Sequence, residues 1–219
     1  AAGAARADIV HMTATIDASL MGPGMLVKDD LGTLVLNGNN VYGGGTEVRA
    51  GTLQIENDGN LGLAVGALSV DTATLHTTGD ILTSRSVGLG GDATFETDAG
   101  TTLQLAGTVG GSGSLTKSGD GTLILHGQSS YAGATTVAGG TLAADSDDIF
   151  NPSSAFSVQN AGTLELDGHS QHLASLANAG TVNPGITFGN LSGEGIASKR
   201  SGTDGLFGLD FYAGGFERM

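Results

Sequence analysis

Cysteine and tryptophan are absent from this chain, and its 219 residues include only three prolines, eight lysines or arginines and ten phenylalanines or tyrosines. Without cysteine there are no disulfides, no thiol nucleophile and no thiolate metal site. The scarcity of proline excludes a collagen-like or proline-rich extended chain. The few basic residues face 22 acids, giving a net charge of −14 and a pI near 4.3. Nucleic acid and anionic membrane surfaces both call for a basic face, so neither is an expected partner. The charge reads instead as solubility and self-repulsion. No run of 18 apolar residues occurs, so direct insertion into a membrane as a helix is not expected. The opening AAGAARAD has no long apolar segment of the signal-peptide kind and reads as a mature N-terminus, a linker or the edge of a longer chain. With aromatics at 5% against 39% hydrophobic residues, a long, thin aliphatic core is a better expectation than one bulky globular core.

Glycine, at 39 residues, and threonine are what the chain has in excess, and they recur in order. Residues 22–53, GPGMLVKDDLGTLVLNGNNVYGGGTEVRAGTL, align without a gap on residues 111–142, GSGSLTKSGDGTLILHGQSSYAGATTVAGGTL, with 16 of 32 positions identical at a shift of 89. The shared positions include Gly32/Gly121, Leu34/Leu123, Tyr42/Tyr131, Gly51/Gly140, Leu53/Leu142 and Lys28/Lys117. A shorter period is nested within: Gly-Thr-Leu begins at residues 32, 51, 121, 140 and 162, and Gly-Thr-Val at 180, so that neighbours within each cluster are 18 to 22 residues apart. The interval, about 20 residues, is too short for a domain and suits one coil of a solenoid. Within GTLVL and GTLIL the leucines alternate with the intervening residues, which is strand periodicity. Asn37-Gly38, Asp58-Gly59, Asp120-Gly121, Asp167-Gly168 and Asp204-Gly205 mark turns, where glycine supplies positive φ. Parallel stacking of such coils predicts Leu34 beside Leu53 and Leu123 beside Leu142 in the interior, with threonine outside. An all-β sandwich is the competing architecture.

The shared pattern G-x-G-x-L-x-K-x-G-x-G-T-L-x-L-x-G, followed by Tyr-x-Gly and T-x-V-x-x-G-T-L, resembles the passenger-associated transport repeat of bacterial autotransporters. Residues 163–182, TLELDGHSQHLASLANAGTV, are similar to the coil that often follows it. The resemblance covers roughly residues 22–192. It implies an all-β fold, a right-handed parallel β-helix (solenoid) whose coils have the short period just described. It also implies export through periplasm and outer membrane to the cell surface or beyond, and a C-terminal translocator β-barrel as partner, expected outside these 219 residues. The units expected are 22–110 and 111–192, with 1–21 as the end of a preceding unit. Residues 193–219 are expected to be a degenerate third unit or cap. There Phe207, Phe211, Tyr212 and Phe216 either cover the last coil or form a partner-binding patch.

The chemistry expected of the chain is structural. His169 and His172 have metal-like spacing but lie in strand and turn sequence, where i and i+3 do not share a face. Asp145, Asp147 and Asp148 form an acidic loop without the glycine and glutamate of an EF-hand. No G-x-S-x-G elbow occurs, and Gly43-Gly44-Gly45 is followed by no Lys-Ser/Thr, so it reads as a turn. No catalytic residue, metal ligand or cofactor is assigned. The residues singled out are repeat positions: Gly32, Leu34, Tyr42, Gly51, Leu53, Lys117, Gly121, Leu123, Tyr131, Gly140 and Leu142. Lys28 and Lys117 are expected to cover apolar surface with their stems. The expected function is a β-helical stalk that supports secretion and folding and presents a functional region, with adhesion to a host surface or partner protein as a variant. The alternative is the repeat portion of a subtilisin-like protease autotransporter, whose catalytic domain would lie outside this chain.

Overall fold

Every strand in the computed structural model, which describes residues 12–183, pairs in parallel with a strand about one coil earlier or later. The result is a β-solenoid of about eight turns with no α-helix among the described residues. The register on one face can be followed without a break: Thr13, Thr33, Thr52, Thr74, Thr94, Thr116, Thr136, Ser157 and Ala177 lie side by side in successive coils. The shortest step in this file runs from Thr33 to Thr52, and the longest are Thr52 to Thr74 and Thr94 to Thr116. Neighbouring strands sit ~4.8 Å apart, so each coil is a thin slab resting on the one before.

Three faces close each coil. The first holds Thr33–Leu36, Thr52–Ile55, Thr74–Thr77, Asp92–Thr97 and Ser114–Ser118. The second holds Val41–Tyr42, Ile81–Thr83, Thr102–Leu105 and Thr122–Leu125. In one coil this face is replaced by a short 3-10 turn at Asp58–Leu61. The third holds Leu26–Lys28, Thr46–Val48, Leu68–Val70, Val87–Leu89 and Val109–Gly111. Later strands are long enough to run from the first face into the second, as Thr135–Ala144 and Ala155–Glu165 do.

The alternation seen in the sequence decides what goes inside. Leu34 pairs with Leu53, and Leu123 with Leu142. Leu53, Leu123 and Leu142 are fully buried, whereas Leu34 is only half-buried, with Ala14 as its partner in the coil beneath. The threonines beside them, Thr33, Thr52, Thr122 and Thr141, point outward and are half-buried by their own neighbours in the file. The interior is not purely aliphatic: Phe95, Tyr131, Phe150 and Phe156 are buried in it.

The repeat and the coil do not keep step. From Thr33, four coils lead to Thr116, whereas the sequence repeat leads to Thr122, six positions further on. Thr122, the sequence equivalent of Thr33, therefore lies beyond the next corner on the second face, between Thr102 and Thr141. Lys28 likewise sits on the third face beside Val48, whereas Lys117 sits on the first, between Phe95 and Val137. Equivalent positions of the two copies thus face different directions, and the strand Val109–Gly111 spans the junction between them.

The corner glycines have two physical roles where positive φ alone was expected. Gly51 and its equivalent Gly140 do have positive φ, +65° and +60°. Gly32 and its equivalent Gly121 are not in that region. A Cβ there would strike backbone carbonyl oxygens, of Met12 in one case and Asp98 in the other. The second pair is glycine because an adjacent coil passes too close for a side chain.

Leu123→Ala and Leu142→Ala should each lower unfolding free energy by about 2–5 kcal/mol in urea titrations, the usual cost of a core cavity. The double variant should be non-additive, since the residues are register partners. Thr122→Ala should cost less than about 1 kcal/mol. Independent leucine effects would break the assigned register.

Candidate functional site

Three of the four lysines and arginines among the described residues are buried, with their charges turned into corners of the solenoid. Lys117 is fully buried. Its Nζ donates to the carbonyl oxygens of Ser118 (2.5 Å) and Gly119 (2.9 Å) in its own corner and of Gly139 (3.3 Å) in the next coil. Lys28 repeats the arrangement, donating to the Asp30 carbonyl, to Ala50 O at 3.0 Å and to Asp30 Oδ1 at 2.9 Å. The three N–H bonds of an ammonium match three acceptors, so each lysine ties one corner to the corner above. The expectation that these stems cover apolar surface is corrected: the ammonium itself is inside. Burial pushes Lys117 down to about 8, against the opposing pull of Asp120 and Glu96. The hydrogen bond from Lys28 holds the Asp30 carboxyl below its usual range.

Arg85 is the third buried cation. Nε donates to Asp58 Oδ1 at 2.8 Å, Nη1 to the carbonyls of Leu63 and Gly66 at 2.6 and 2.9 Å, and Nη2 to Gly62 O at 2.7 Å and Asp58 Oδ2 at 3.2 Å. These bonds pin the long connection that follows the 3-10 turn. The repeat offers no counterpart, since no lysine or arginine stands between Lys117 and Lys199. The remaining described cation, Arg49, is exposed and paired with Glu47 at 2.8 Å. The outer surface of the described coils is accordingly anionic.

The repeated tyrosines have a definite task. Tyr42 and Tyr131 are buried, and their phenols share hydrogen bonds with Thr46 and Thr135 at 2.7 and 2.6 Å. Thr135 also meets Ser154 Oγ. Burial raises both phenols, Tyr131 to about 12. Tyr-x-Gly-x-Thr in each copy is thus a paired buried phenol and hydroxyl, polar groups satisfying each other in the core.

The histidines and the acidic loop, treated separately in sequence, meet in the structure. His126 pairs with Asp145 at 2.5 Å, His169 with Asp147 at 3.5 Å and His172 with Asp148 at 2.5 Å; His76 pairs with Asp98 at 2.8 Å. Each pair joins residues about one coil length apart, and that spacing was the signal in the sequence. The three loop aspartates go to three different histidines. No group of three His, Asp or Glu side chains among the described residues is placed to hold a metal. No serine hydroxyl hydrogen-bonds a histidine among them, so no Ser-His-Asp arrangement is assembled there. An open groove between Ala138, Gln159, Asn160 and Ala177 carries no titratable side chain. The aromatics Phe207, Phe211, Tyr212 and Phe216 lie outside the described residues.

The passenger-associated transport repeat profile matches residues 26–55 and 115–144. These segments contain the Leu34/Leu53 and Leu123/Leu142 pairs and one buried lysine each. The chain is also similar to the adhesin BmaC autotransporter of Brucella suis biovar 1 (strain 1330), 44% identical over 131 residues. That match covers 59% of this chain and 4% of the adhesin's length. No solved structure matches.

The buried ammonium has a measurable consequence. Unfolded, Lys117 returns to about 10.4. The unfolded chain therefore binds more protons between the folded value of about 8 and the unfolded one, and stability from this group rises with pH across that window. It is fully present above the unfolded value and lost as pH falls through about 8. Tyr131 works in the opposite sense, but only above the ordinary phenol value of 10. From pH 8 to 10 the urea midpoint of the natural chain should rise relative to that of Lys117→Met. A constant difference would contradict the buried charge.

Proposed function

We propose that this chain, an autotransporter passenger segment carrying two passenger-associated transport repeats, is a stalk that holds a functional region away from the cell and helps the passenger fold as it leaves. The observation that carries this reading is the unbroken register from Thr13 to Ala177, in which each coil completes the surface on which the next one stacks. Emerging coils bury apolar area as they stack, at ~25 cal/mol per Å², and a folded coil cannot slip back through a narrow pore. Export to the cell surface or beyond, and a C-terminal translocator β-barrel in the full-length protein, belong to the same reading. Adhesion is the role named for the similar Brucella protein, and contact with a host surface or partner protein is its extension to this one. The similarity to a protein named as an adhesin supports the stalk reading over the protease alternative.

An epitope-tagged copy of the 219 residues, joined ahead of a translocator β-barrel in a Gram-negative cell, tests both parts. The epitope should become accessible on intact cells. A Leu123→Asp, Leu142→Asp variant, whose coils cannot close, should be displayed several-fold less. Equal display of the two would remove folding-assisted export, and labelling of one serine by a fluorophosphonate probe would restore the enzymatic reading.

A further inference from the structure

The two halves of the rod differ in what they show to solvent. Every large apolar side chain that stands exposed among the described residues lies between Met12 and Leu82. Some belong to the first described coil. The others are spread as a stripe over three successive coils: Val41 on the second face, next to Met21 in register, then Leu63 and Val65 on the connection that follows the 3-10 turn, then Leu82 on the second face of the next coil. Leu63 is tied to this line by its N–H, which donates to Tyr42 O at 2.9 Å. Among the described residues the coils from Asp92 onward carry no exposed large apolar side chain. The coil therefore does not require the stripe, since the same repeat is built elsewhere in this chain without it. An exposed apolar row present in one copy alone marks an interaction surface.

The stripe is also held in place. Val65, 89% exposed, stands on the connection whose carbonyls at Gly62, Leu63 and Gly66 are gripped by Arg85. A surface fixed before binding loses little ordering entropy on binding. Its flank is charged: Asp17, Glu56 and Asp80, all exposed, occupy the corner that precedes the second face in the coils of Met21, Leu63 and Leu82, with Asn37 at that corner in the coil of Val41. The other flank is the low-relief run Gly43-Gly44-Gly45 and Gly66. Lys28, Arg85 and Lys117 are buried and Arg49 is paired with Glu47, so the described part of the chain offers no free cation to these carboxylates. The described surface of a second copy would bring acid against acid.

We propose that this stripe docks a basic amphipathic helix of a partner protein, its apolar ridge on Val41, Leu63, Val65 and Leu82 and its lysines or arginines along Asp17, Glu56 and Asp80. The periodicities fit, because a helix advances ~5.4 Å per turn and the solenoid ~4.8 Å per coil, so one apolar residue per turn meets one coil over this short span. The surface stands independently of the stalk reading, which is decided by export.

The test uses the full chain and two synthetic helical peptides, one of Leu and Lys, one of Leu and Glu, followed by fluorescence anisotropy. The Leu/Lys peptide should bind, less tightly at high salt, and the Leu/Glu peptide should not. Val41→Ser, Leu63→Ser, Val65→Ser, Leu82→Gln, which installs polar side chains along the stripe, should weaken Leu/Lys binding by about tenfold or more. Its far-UV circular dichroism should remain that of the natural chain. Failure of the Leu/Lys peptide to bind, or equal binding to the variant, would overturn the proposal. So would concentration-dependent dimerisation in sedimentation that the variant abolishes, which would assign the stripe to a second copy.

Discussion

Each strand rests directly on the strand one coil earlier, ~4.8 Å away, and the rest of the molecule follows from that contact. Such stacking leaves each coil a thin interior slab, so the core has to be filled by like on like: Leu53 on Leu34, Leu142 on Leu123, Val158 on Val137. It leaves the outward residues in files, which suits threonine, whose branched side chain packs on a pleated surface. It also brings backbone against backbone wherever the chain turns a corner. At Gly32 and Gly121 there is no space for a β-carbon at all.

Corners concentrate carbonyl oxygens as well as excluding side chains, and this chain answers with cations. Lys28 and Lys117 each gather carbonyls from two successive corners, and Arg85 gathers four from the single connection between Asp58 and Gly66. Placing the scarce cations there has an external effect: the acids outside are left largely unopposed. A rod with one sign of charge resists side-by-side association, and the apolar stripe across Val41 and Leu82 stands out against that background.

The fold was legible because coil length is written twice, in the spacing of Gly-Thr-Leu and in the alternation of its leucines. Those signals placed Leu34 against Leu53 and Leu123 against Leu142 as the structure does. The rotation of one copy relative to the other was hidden. Coil length varies, with the step from Thr33 to Thr52 shorter than the step from Thr52 to Thr74. The offset between Thr116 and Thr122 appears only once individual strands are paired. The lysines were misjudged because a lysine beside Asp and Gly in a turn has the pattern of a solvated residue, and only the fold reveals that the corner closes over it. The histidine–aspartate pairs were readable in principle, since His126 and Asp145 are one coil apart. They were overlooked because ligand spacing was sought within a loop rather than between coils. Ser129 shows the limit of arguing by repetition: it replaces Asn40, whose side chain bonds Leu20 N and Asn60 O, and its own hydroxyl is left without a partner.

The central claim is that the coil register, and not the sequence repeat, sets the stacking. The absence of cysteine makes it directly measurable, because spin labels attach only where cysteine is introduced. Pulsed electron–electron distances should be recorded for two pairs, Thr33→Cys with Thr116→Cys and Thr33→Cys with Thr122→Cys. The first pair lies in one file four coils apart, a backbone separation of about 19 Å at ~4.8 Å per coil. The second pair is sequence-equivalent but crosses a corner, so its distance should be longer by several Å. The reverse order, with the Thr33–Thr122 pair the closer, would mean that the repeats stack in phase and that this account of the solenoid is wrong.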